Sequence, residues 1–174
     1  MSGGAHHRHP GDGWVQCGDH RHWGLHGAAG LFLVRRAVPA PDCTPGPVTD
    51  VVLQHRAAWS HHGGTWGIPG GAVSPDETPT QGALREAAEE AGIDPASVRV
   101  TAEHVLDHGV WTYTTVLGET VSGERTPVEA TDPESIEVRW VPVGEVAGLP
   151  LHPGFADALP HLARLLDTDR QRRP

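Results

Sequence analysis

Short apolar runs separated by glycine- and proline-rich loops predict a series of β-strands. The first run, AAGLFLV, is continuous enough for a buried strand, and a loop with four prolines separates it from a second run with which it can pair. The fourth run is rich in threonine and other strong β-formers, and the last alternates apolar and charged residues. The predicted strands are residues 28–34, 51–56, 98–105, 111–117 and 136–141.

The strongest helix signal lies at residues 78–91. Thr78 is the expected N-cap, with Gln81 three positions later to complete a capping box. Pro79 then occupies the first helical position, where its missing N–H does no harm. Gly92 follows the last turn and favours the left-handed conformation that commonly ends a helix.

Two further helices are predicted towards the C-terminus. A short one is expected at residues 143–147, and an amphipathic one at residues 155–166, where the leucines share one stripe. Residues 60–71 hold five glycines and a proline and are expected to be mostly irregular. The order of strands, helix, strands and helix predicts an α/β fold, with a mixed β-sheet in a three-layer α/β/α sandwich.

The length of 174 residues is sufficient for one domain. We expect a flexible tail rich in His and Gly at residues 1–20, a folded domain at residues 21–168 and a frayed tail at residues 169–174. No run of about 18 apolar residues predicts a membrane span, and the N-terminus lacks the apolar centre of a secretory signal. A cytoplasmic location is therefore expected.

The charge of the chain limits its possible partners. Asp and Glu number 22 against 13 Arg, there is no Lys, and the net charge is −9. Such a balance disfavours binding to nucleic acid polymers and to anionic membranes. A phosphate-bearing ligand would need a metal ion or a local group of arginines. The use of Arg alone, with abundant Gly, Pro and Ala, suggests a GC-rich bacterial genome.

The predicted helix at 78–91 carries a stripe of like charge. Glu86, Glu89 and Glu90 fall at positions i, i+3 and i+4, a spacing that costs about 0.2–0.5 kcal/mol per pair. Mg²⁺ or Mn²⁺ would relieve this repulsion, since both prefer oxygen ligands. On the helix alone, a solvated acidic face paired with Arg85 is an equally good interpretation. A second stripe, expected to pack on the sheet, consists of Leu84, Ala87, Ala88 and Ala91.

The loop before this helix favours the metal site. Residues 69–71, Pro-Gly-Gly, allow the backbone to come very near the helix, where a carbonyl can complete a metal's ligand set. Glu77 can pair with Arg85 and so fix the loop against the helix. The sequence therefore predicts a rigid loop, a carboxylate cluster and a neighbouring arginine.

These residues together resemble the signature of the Nudix hydrolases, which spans Gly71 to Ile93 here. The lead-in at residues 66–70 is also similar, and the order of elements fits the family fold from about residue 27 to 167. One position differs slightly from the signature: Ala87 occupies a position where a larger aliphatic residue is usual. The matching positions are Gly71, Glu77, Arg85, Glu86, Ala87, Glu89, Glu90, Gly92 and Ile93.

The resemblance implies a role for each of these residues. Glu86 and Glu89, with Arg85, would take part in catalysis, and Arg85 and Glu77 would act mainly by positioning. Mg²⁺ or Mn²⁺ would bind the diphosphate oxygens of the substrate and lower the pKa of an attacking water. The implied metal ligands are Glu86, Glu89, Glu90 and the carbonyl of Gly70.

The resemblance also implies a reaction, the hydrolysis of a diphosphate linkage in a nucleoside-diphosphate-linked substrate by water attack at phosphorus. Substrates of the family include nucleoside triphosphates, nucleotide sugars, ADP-ribose and dinucleoside polyphosphates, and nothing in the sequence selects among them. The alternative is a catalytically silent domain that senses a nucleotide. Many members of the family are dimers, so a homodimer is possible. The candidates for the general base are Glu86, Glu129, Glu134 and Glu137.

Three aromatic residues are candidates for stacking on a nucleobase: Trp66, Trp111 and Tyr113. Packing in the core is an equally good interpretation of the two tryptophans. Glu134 and Glu137 precede the strand that ends near residue 141 and are the favoured region for a remote base or a substrate contact.

Histidines and cysteines leave further alternatives open. His61 and His62 could meet phosphate or metal, although exposed histidines in glycine-rich loops more often contact only solvent. Cys17 lies among several histidines, so a transition-metal site is possible, but an ordinary thiol in a flexible tail is the simpler interpretation. The neighbouring histidines are His20, His22 and His26, and the other cysteine, Cys43, is expected to be a reduced thiol.

Overall fold

The computed structural model describes residues 9–39 and 45–172, so that Cys43 lies outside the described residues. Its strands are β1 (Trp14–Cys17), β2 (His20–Trp23), β3 (Ala28–Arg36), β4 (Val48–Arg56), β5 (Trp66–Gly67), β6 (Gly70–Ala72), β7 (Val98–Asp107), β8 (Thr112–Thr120) and β9 (Ser135–Pro142). Its helices are α1 (Pro79–Ala91), α2 (Val143–Val146) and α3 (Pro153–Arg172), with a 3-10 turn at Pro95–Ser97.

A mixed sheet organises the fold. Its strands run in the order β5-β4-β3-β8-β7, while β6 also pairs with β3 and β9 with β4. β3 and β8 are parallel, with Ala28 opposite Tyr113, and the other pairs are antiparallel. The glycine-rich segment contributes the two short strands β5 and β6, and the pairing of Gly70 with Gly30 holds that segment on the central strand.

Helices cover both faces of the sheet, which confirms the three-layer α/β/α arrangement. Side chains of successive residues in a strand point to opposite faces, so β3 supplies both cores. The core on the α1 side contains Leu31, Leu33, Ala83, Ala87 and Ala91. The core on the α3 side contains Phe32, Leu53, Phe155, Leu162 and Leu166. No helix in the described ranges is both long and apolar enough to cross a membrane.

Helix α1 begins and ends as its sequence predicts. Thr78 accepts from the backbone N–H of Gln81, whose side chain accepts in return from the N–H of Thr78. Gly92 has a left-handed conformation with φ of 63°. The predicted packing stripe was partly wrong, because Leu84 and Ala88 are only half-buried. The buried stripe is Ala83, Ala87 and Ala91, which turns Glu86 and Glu90 inwards.

The N-terminal segment is more ordered than predicted. Residues up to about 19 were expected to be loose, but β1 and β2 form an antiparallel hairpin with Trp14 opposite Trp23. The two indole rings meet edge to face at 5.2 Å, and the carbonyl of Trp23 accepts from Trp111 Nε1 at 3.1 Å. The ring contact within the hairpin and the hydrogen bond to Trp111, just before β8, explain why a segment without a hydrophobic run is held. At the other end, α3 continues past the predicted end at residue 166 to Arg172.

Candidate active site

The acidic stripe of α1 divides into buried and exposed carboxylates. Glu86 is 9% exposed and Glu90 is 6% exposed, whereas the side chain of Glu89 is 45% exposed. Burial raises the pKa of Glu86 and raises that of Glu90 well above its ordinary value. The charge of Glu86 raises the pKa of Glu90 further, so the two carboxylates lie close enough to repel each other.

The glycine loop closes directly on these carboxylates. The backbone N–H of Gly70 donates to Glu90 Oε2 at 3.0 Å. A Cβ on Gly71 would lie 2.7 Å from Glu86 Oε1, closer than real Cβ contacts allow. A Cβ on Gly70 would lie 2.4 Å from the carbonyl oxygen of Ala29 in β3. Both glycines are therefore required for room, as the sequence predicted, and they bring the backbone to the carboxylate face of α1.

Arg85 fastens the loop to the helix. Its guanidinium donates to Glu77 at 2.7 and 3.1 Å, to Glu86 at 2.8 Å and to the carbonyl of Ala72 at 3.1 Å. A weaker contact of 3.3 Å reaches Glu89. The hydrogen bonds from Arg85 hold the pKa of Glu77 below its usual value. Arg85 thus fixes the orientation of Glu86 while the loop stays in place, which fits the positional role implied for it.

A second acidic loop reaches the end of α1. The N–H of Thr131 donates to the carbonyl of Glu90 at 3.1 Å, and the carboxylate of Asp132 raises the pKa of Glu90 through its charge. Asp132 itself accepts from the N–H of Glu134 and the hydroxyl of Ser135, both at 3.1 Å. The structure therefore brings Asp132 to the site, a residue that the sequence did not single out, and places the half-buried Glu134 in the same loop.

The other two remote base candidates are exposed to solvent. Glu129 is exposed and packs beside Gly92, where its N–H donates to the carbonyl of Ala91 at 3.1 Å. Glu137 is also exposed and forms an ion pair of 3.3 Å with Arg139.

Arg56 is a basic residue near the site that sequence reasoning missed. Burial raises the pKa of Glu90 and that of Tyr113, and the positive charge of Arg56 opposes both shifts. Its Nε donates to the carbonyl of His61 at 3.1 Å, and no ion pair to it appears within the described ranges. The only sequence signal was its position at the end of a strand.

The candidate aromatic residues pack against specific partners. The Trp66 ring stacks on His55 at 4.7 Å, and the guanidinium of Arg139 lies 4.9 Å from its centre. Both Trp66 and Tyr113 belong to the core on the α3 side. Burial raises the pKa of Tyr113, and the negative charges of Glu90 and Glu86 add to that shift. Trp111 stacks on His22 at 4.0 Å and lies 6.1 Å from Tyr113.

The pair His61 and His62 belongs to a small imidazole cluster. Ring nitrogens of these two residues and of His152 all lie within 4.8 Å of one another. Burial lowers the pKa of His152 to about 4, so that side chain is neutral at physiological pH. The carbonyl of His61 accepts from Arg56 Nε, which connects this cluster to Arg56.

The donors of the acidic site fit a hard divalent cation. Glu86 and Glu90 are buried side by side, and the cations that compensate them are Arg85, on Glu86, and the more distant Arg56. Buried carboxylates without full neutralisation are costly, and oxygen ligands of this type are those that Mg²⁺ and Mn²⁺ prefer. The half-exposed Glu89 and the adjacent loop carbonyls supply further oxygen atoms at the open side.

Comparison with known proteins shows the family to which the chain is similar. The family model of the NUDIX domain matches residues 33–164. The crystal structure of a Nudix hydrolase from M. smegmatis, RenU, aligns with a TM-score of 0.77 at 44% sequence identity. The alignment covers 91% of this chain and 96% of that chain.

Two curated relatives are also similar. A putative 8-oxo-dGTP diphosphatase 3 from Mycobacterium tuberculosis is 49% identical over 156 residues, which cover 86% of this chain and 67% of that protein. A nucleoside triphosphate pyrophosphatase/Nudix hydrolase fusion protein from Bifidobacterium longum is 47% identical over 159 residues. That match covers 91% of this chain but 32% of the fusion protein, so the chain spans about a third of that relative's length.

The match over residues 33–164 includes the acidic helix α1, the loop that closes on it and most residues of both cores. The sequence signature, the α/β/α fold and the similarity to RenU agree with one another. The chain therefore belongs to the Nudix hydrolases, a family of pyrophosphohydrolases.

Proposed function

We propose that the protein is a metal-dependent hydrolase of nucleoside triphosphates or similar nucleoside-diphosphate-linked compounds. The observation that carries the proposal is the pair of buried carboxylates, Glu86 and Glu90, held against the loop at Gly70 and Gly71. A structural helix gains nothing from two buried like charges, whereas a site for a divalent cation requires them. The name of the M. tuberculosis relative makes 8-oxo-dGTP the first substrate to test.

The ligands proposed for Mg²⁺ or Mn²⁺ are Glu86, Glu89, Glu90 and the carbonyl of Gly70. When bound, such an ion would neutralise diphosphate oxygens and lower the pKa of a nearby water. Arg85 would keep the Glu86 carboxylate aimed at the ion by its 2.8 Å hydrogen bond, and Glu77 would hold Arg85 in turn. Catalysis would rest mainly on charge neutralisation and positioning.

In the reaction, the water oxygen forms a bond to phosphorus while the bridging P–O bond breaks, and the phosphate-bearing leaving group takes the bridging oxygen. A carboxylate accepts the proton that the water loses. The loop that carries Asp132 and Glu134 is the favoured remote source of this base, because Asp132 lies close enough to Glu90 to raise its pKa. Glu86 is the alternative on the helix.

Arg56 is the residue we propose to bind a substrate phosphate. The chain has a net charge of −9, so a phosphate group needs local compensation. The charge of Arg56 acts on the buried Glu90, and Arg56 has no ion pair within the described ranges. A hydrogen bond between charged groups contributes about 1.5–3 kcal/mol. Arg56→Gln should therefore raise KM about 10- to 100-fold and change kcat less.

Steady-state kinetics on the best nucleotide would measure this effect. Arg164→Gln, at an exposed position of α3, is the matched control and should leave KM unchanged. An Arg56→Gln enzyme with the wild-type KM would exclude a phosphate-binding role for Arg56.

A substrate panel tests the proposed function as a whole. The panel holds 8-oxo-dGTP, dGTP, the other nucleoside triphosphates, a nucleotide sugar, ADP-ribose and a dinucleoside polyphosphate, each with Mg²⁺, with Mn²⁺ and with a chelator. We expect metal-dependent release of phosphate, pyrophosphate or a nucleoside monophosphate from at least one of them. Turnover in the presence of the chelator would refute the mechanism. Tight binding without turnover would favour the silent nucleotide-sensing alternative.

A further inference from the structure

A cluster of one thiol and three imidazoles lies at the N-terminal hairpin, on different residues from the acidic site. Cys17 and His20 flank the hairpin turn, His22 follows on β2, and His108 comes from the turn between β7 and β8. One ligand atom from each of the four lies within 4.8 Å of all the others. The sequence suggested only the hairpin members, since His108 is 91 residues from Cys17 along the chain. His26, the remaining histidine near Cys17 in sequence, is not in the cluster.

The spacing of the ligand atoms fits tetrahedral coordination. Zn–N bonds of about 2.0–2.1 Å and Zn–S bonds of about 2.3 Å place neighbouring ligand atoms about 3.3–3.7 Å apart in a tetrahedron. Cys17 Sγ lies 3.8 Å from His108 Nδ1, and His20 Nε2 lies 3.1 Å from His22 Nε2. These separations lie close to that range before any ligand has been drawn in by a metal.

Neighbouring side chains orient the imidazole rings of His20 and His22. Asp19 Oδ1 lies 3.0 Å from His20 Nδ1, so the carboxylate bonds the ring nitrogen that faces away from the cluster. Zinc-binding histidines commonly have such a carboxylate partner, which fixes the tautomer and the ring orientation. His22 is stacked parallel to the Trp111 ring, with an interplanar angle of 8°, and this contact limits its rotation.

We propose that Cys17, His20, His22 and His108 bind one Zn²⁺ ion as a closed structural site. Sulfur and imidazole nitrogen are ligands that Zn²⁺ accepts readily and that Mg²⁺ avoids. Four protein ligands leave no position for substrate, so the site has no catalytic role. It ties the β1–β2 hairpin to the β7–β8 turn, and the thiol proton leaves to solvent when the ion binds.

The β1–β2 hairpin contacts Trp111, a candidate for stacking on the nucleobase, so the proposed zinc site would support that residue. The carbonyl of Trp23, on β2, accepts from Trp111 Nε1, and the Trp111 ring lies 6.1 Å from that of Tyr113. Bound Zn²⁺ would thus hold the hairpin, and with it Trp111, in place, and it would share no ligand with the acidic site.

The experiment is a metal analysis of the full-length chain, produced without an affinity tag and dialysed against a metal-free buffer. We expect about one Zn²⁺ per chain by mass spectrometry, lost from Cys17→Ser and from His108→Ala. Co²⁺ added to the metal-free protein should give the visible bands of a tetrahedral site and a thiolate charge-transfer band, which Cys17→Ser abolishes. These readouts do not depend on hydrolytic activity, so they remain decisive if the proposed function fails.

Matched variants separate this cluster from other histidines and from unfolding. His26→Ala, outside the cluster, and His62→Ala, in the second imidazole cluster, should keep the ion. Asp19→Asn changes a fully exposed side chain, so it should leave the fold intact, and it should weaken Zn²⁺ binding about 10- to 100-fold. Wild-type protein without stoichiometric Zn²⁺, or His108→Ala with it, would overturn the proposal. So would loss of the ion in His62→Ala.

Discussion

Glu90→Gln is expected to lower kcat about 10²- to 10³-fold without weakening the fold. The substitution keeps the size of the side chain and can still accept from the N–H of Gly70, but it removes the charge that a divalent cation would bind. Glu90 is 6% exposed and burial raises its pKa, so the ionised carboxylate is unfavourable in the absence of metal. The metal-free variant should accordingly unfold at a temperature no lower than the wild type.

Two measurements separate a catalytic loss from a structural one. Kinetics on the best substrate of the panel give kcat, and thermal unfolding with and without Mg²⁺ gives the stabilisation that the ion provides. The wild type should gain stability with Mg²⁺, and Glu90→Gln should gain much less. Glu145→Gln, at an exposed position of α2, is the control for a lost negative charge and should behave as the wild type. Full activity in Glu90→Gln would contradict its assignment as a metal ligand.

Arg85→Ala should lower the free energy of unfolding by about 2–3 kcal/mol, the largest stability effect we expect from one residue of the site. Removal of the guanidinium leaves Glu77 and Glu86 without the cation that compensates them. Breaking a fully buried ion pair costs roughly 3–5 kcal/mol, and we expect a smaller loss of stability here because the Arg85 side chain is 23% exposed. Urea unfolding followed by circular dichroism would measure it. Arg164→Ala on the exposed face of α3 should change stability little.

The pH dependence of this effect has a defined direction. Arg85 lowers the pKa of Glu77 from its ordinary value of 4.5, so the native state favours the ionised carboxylate. The stabilisation from this pair is fully present above about pH 4.5 and is lost as the pH falls through the lowered pKa. The difference between wild type and Arg85→Ala should therefore shrink in acid. A difference that does not change with pH would show that the lost contribution is packing rather than charge.

The parts of the site that could be predicted from sequence are local in the chain. The capping box of Thr78 and Gln81, the closing Gly92 and the acidic spacing of α1 all act within a few residues, and the structure reproduces each. The need for glycine at position 71 was also foreseeable, because backbone and helix had to approach closely. Local signals of this kind depend on interactions among neighbouring residues, not on how distant segments pair.

The parts that could not be predicted depend on the register of the sheet. Asp132, Arg56 and His108 reach their clusters only after strands far apart in sequence have paired, and no pattern near any of them indicates this. The rotation of α1 that buries Ala83 instead of Ala88 is set in the same way, by the shape of the strands beneath. The hairpin of β1 and β2 could not be predicted from a hydrophobic run, because its contacts are mostly between aromatic rings.

The parallel pairing of β3 with β8 has a consequence for biosynthesis. β8 lies beyond α1 and β7 in the chain, so a growing polypeptide that has completed β3 and β4 still lacks the strand that covers one edge of β3. Contacts between such distant segments close large loops and are typical of slow folding. During synthesis the apolar β3 therefore keeps an unpaired edge that other nascent chains can join. Expression at low temperature, where hydrophobic association is weaker, should therefore favour recovery of the native protein over aggregates.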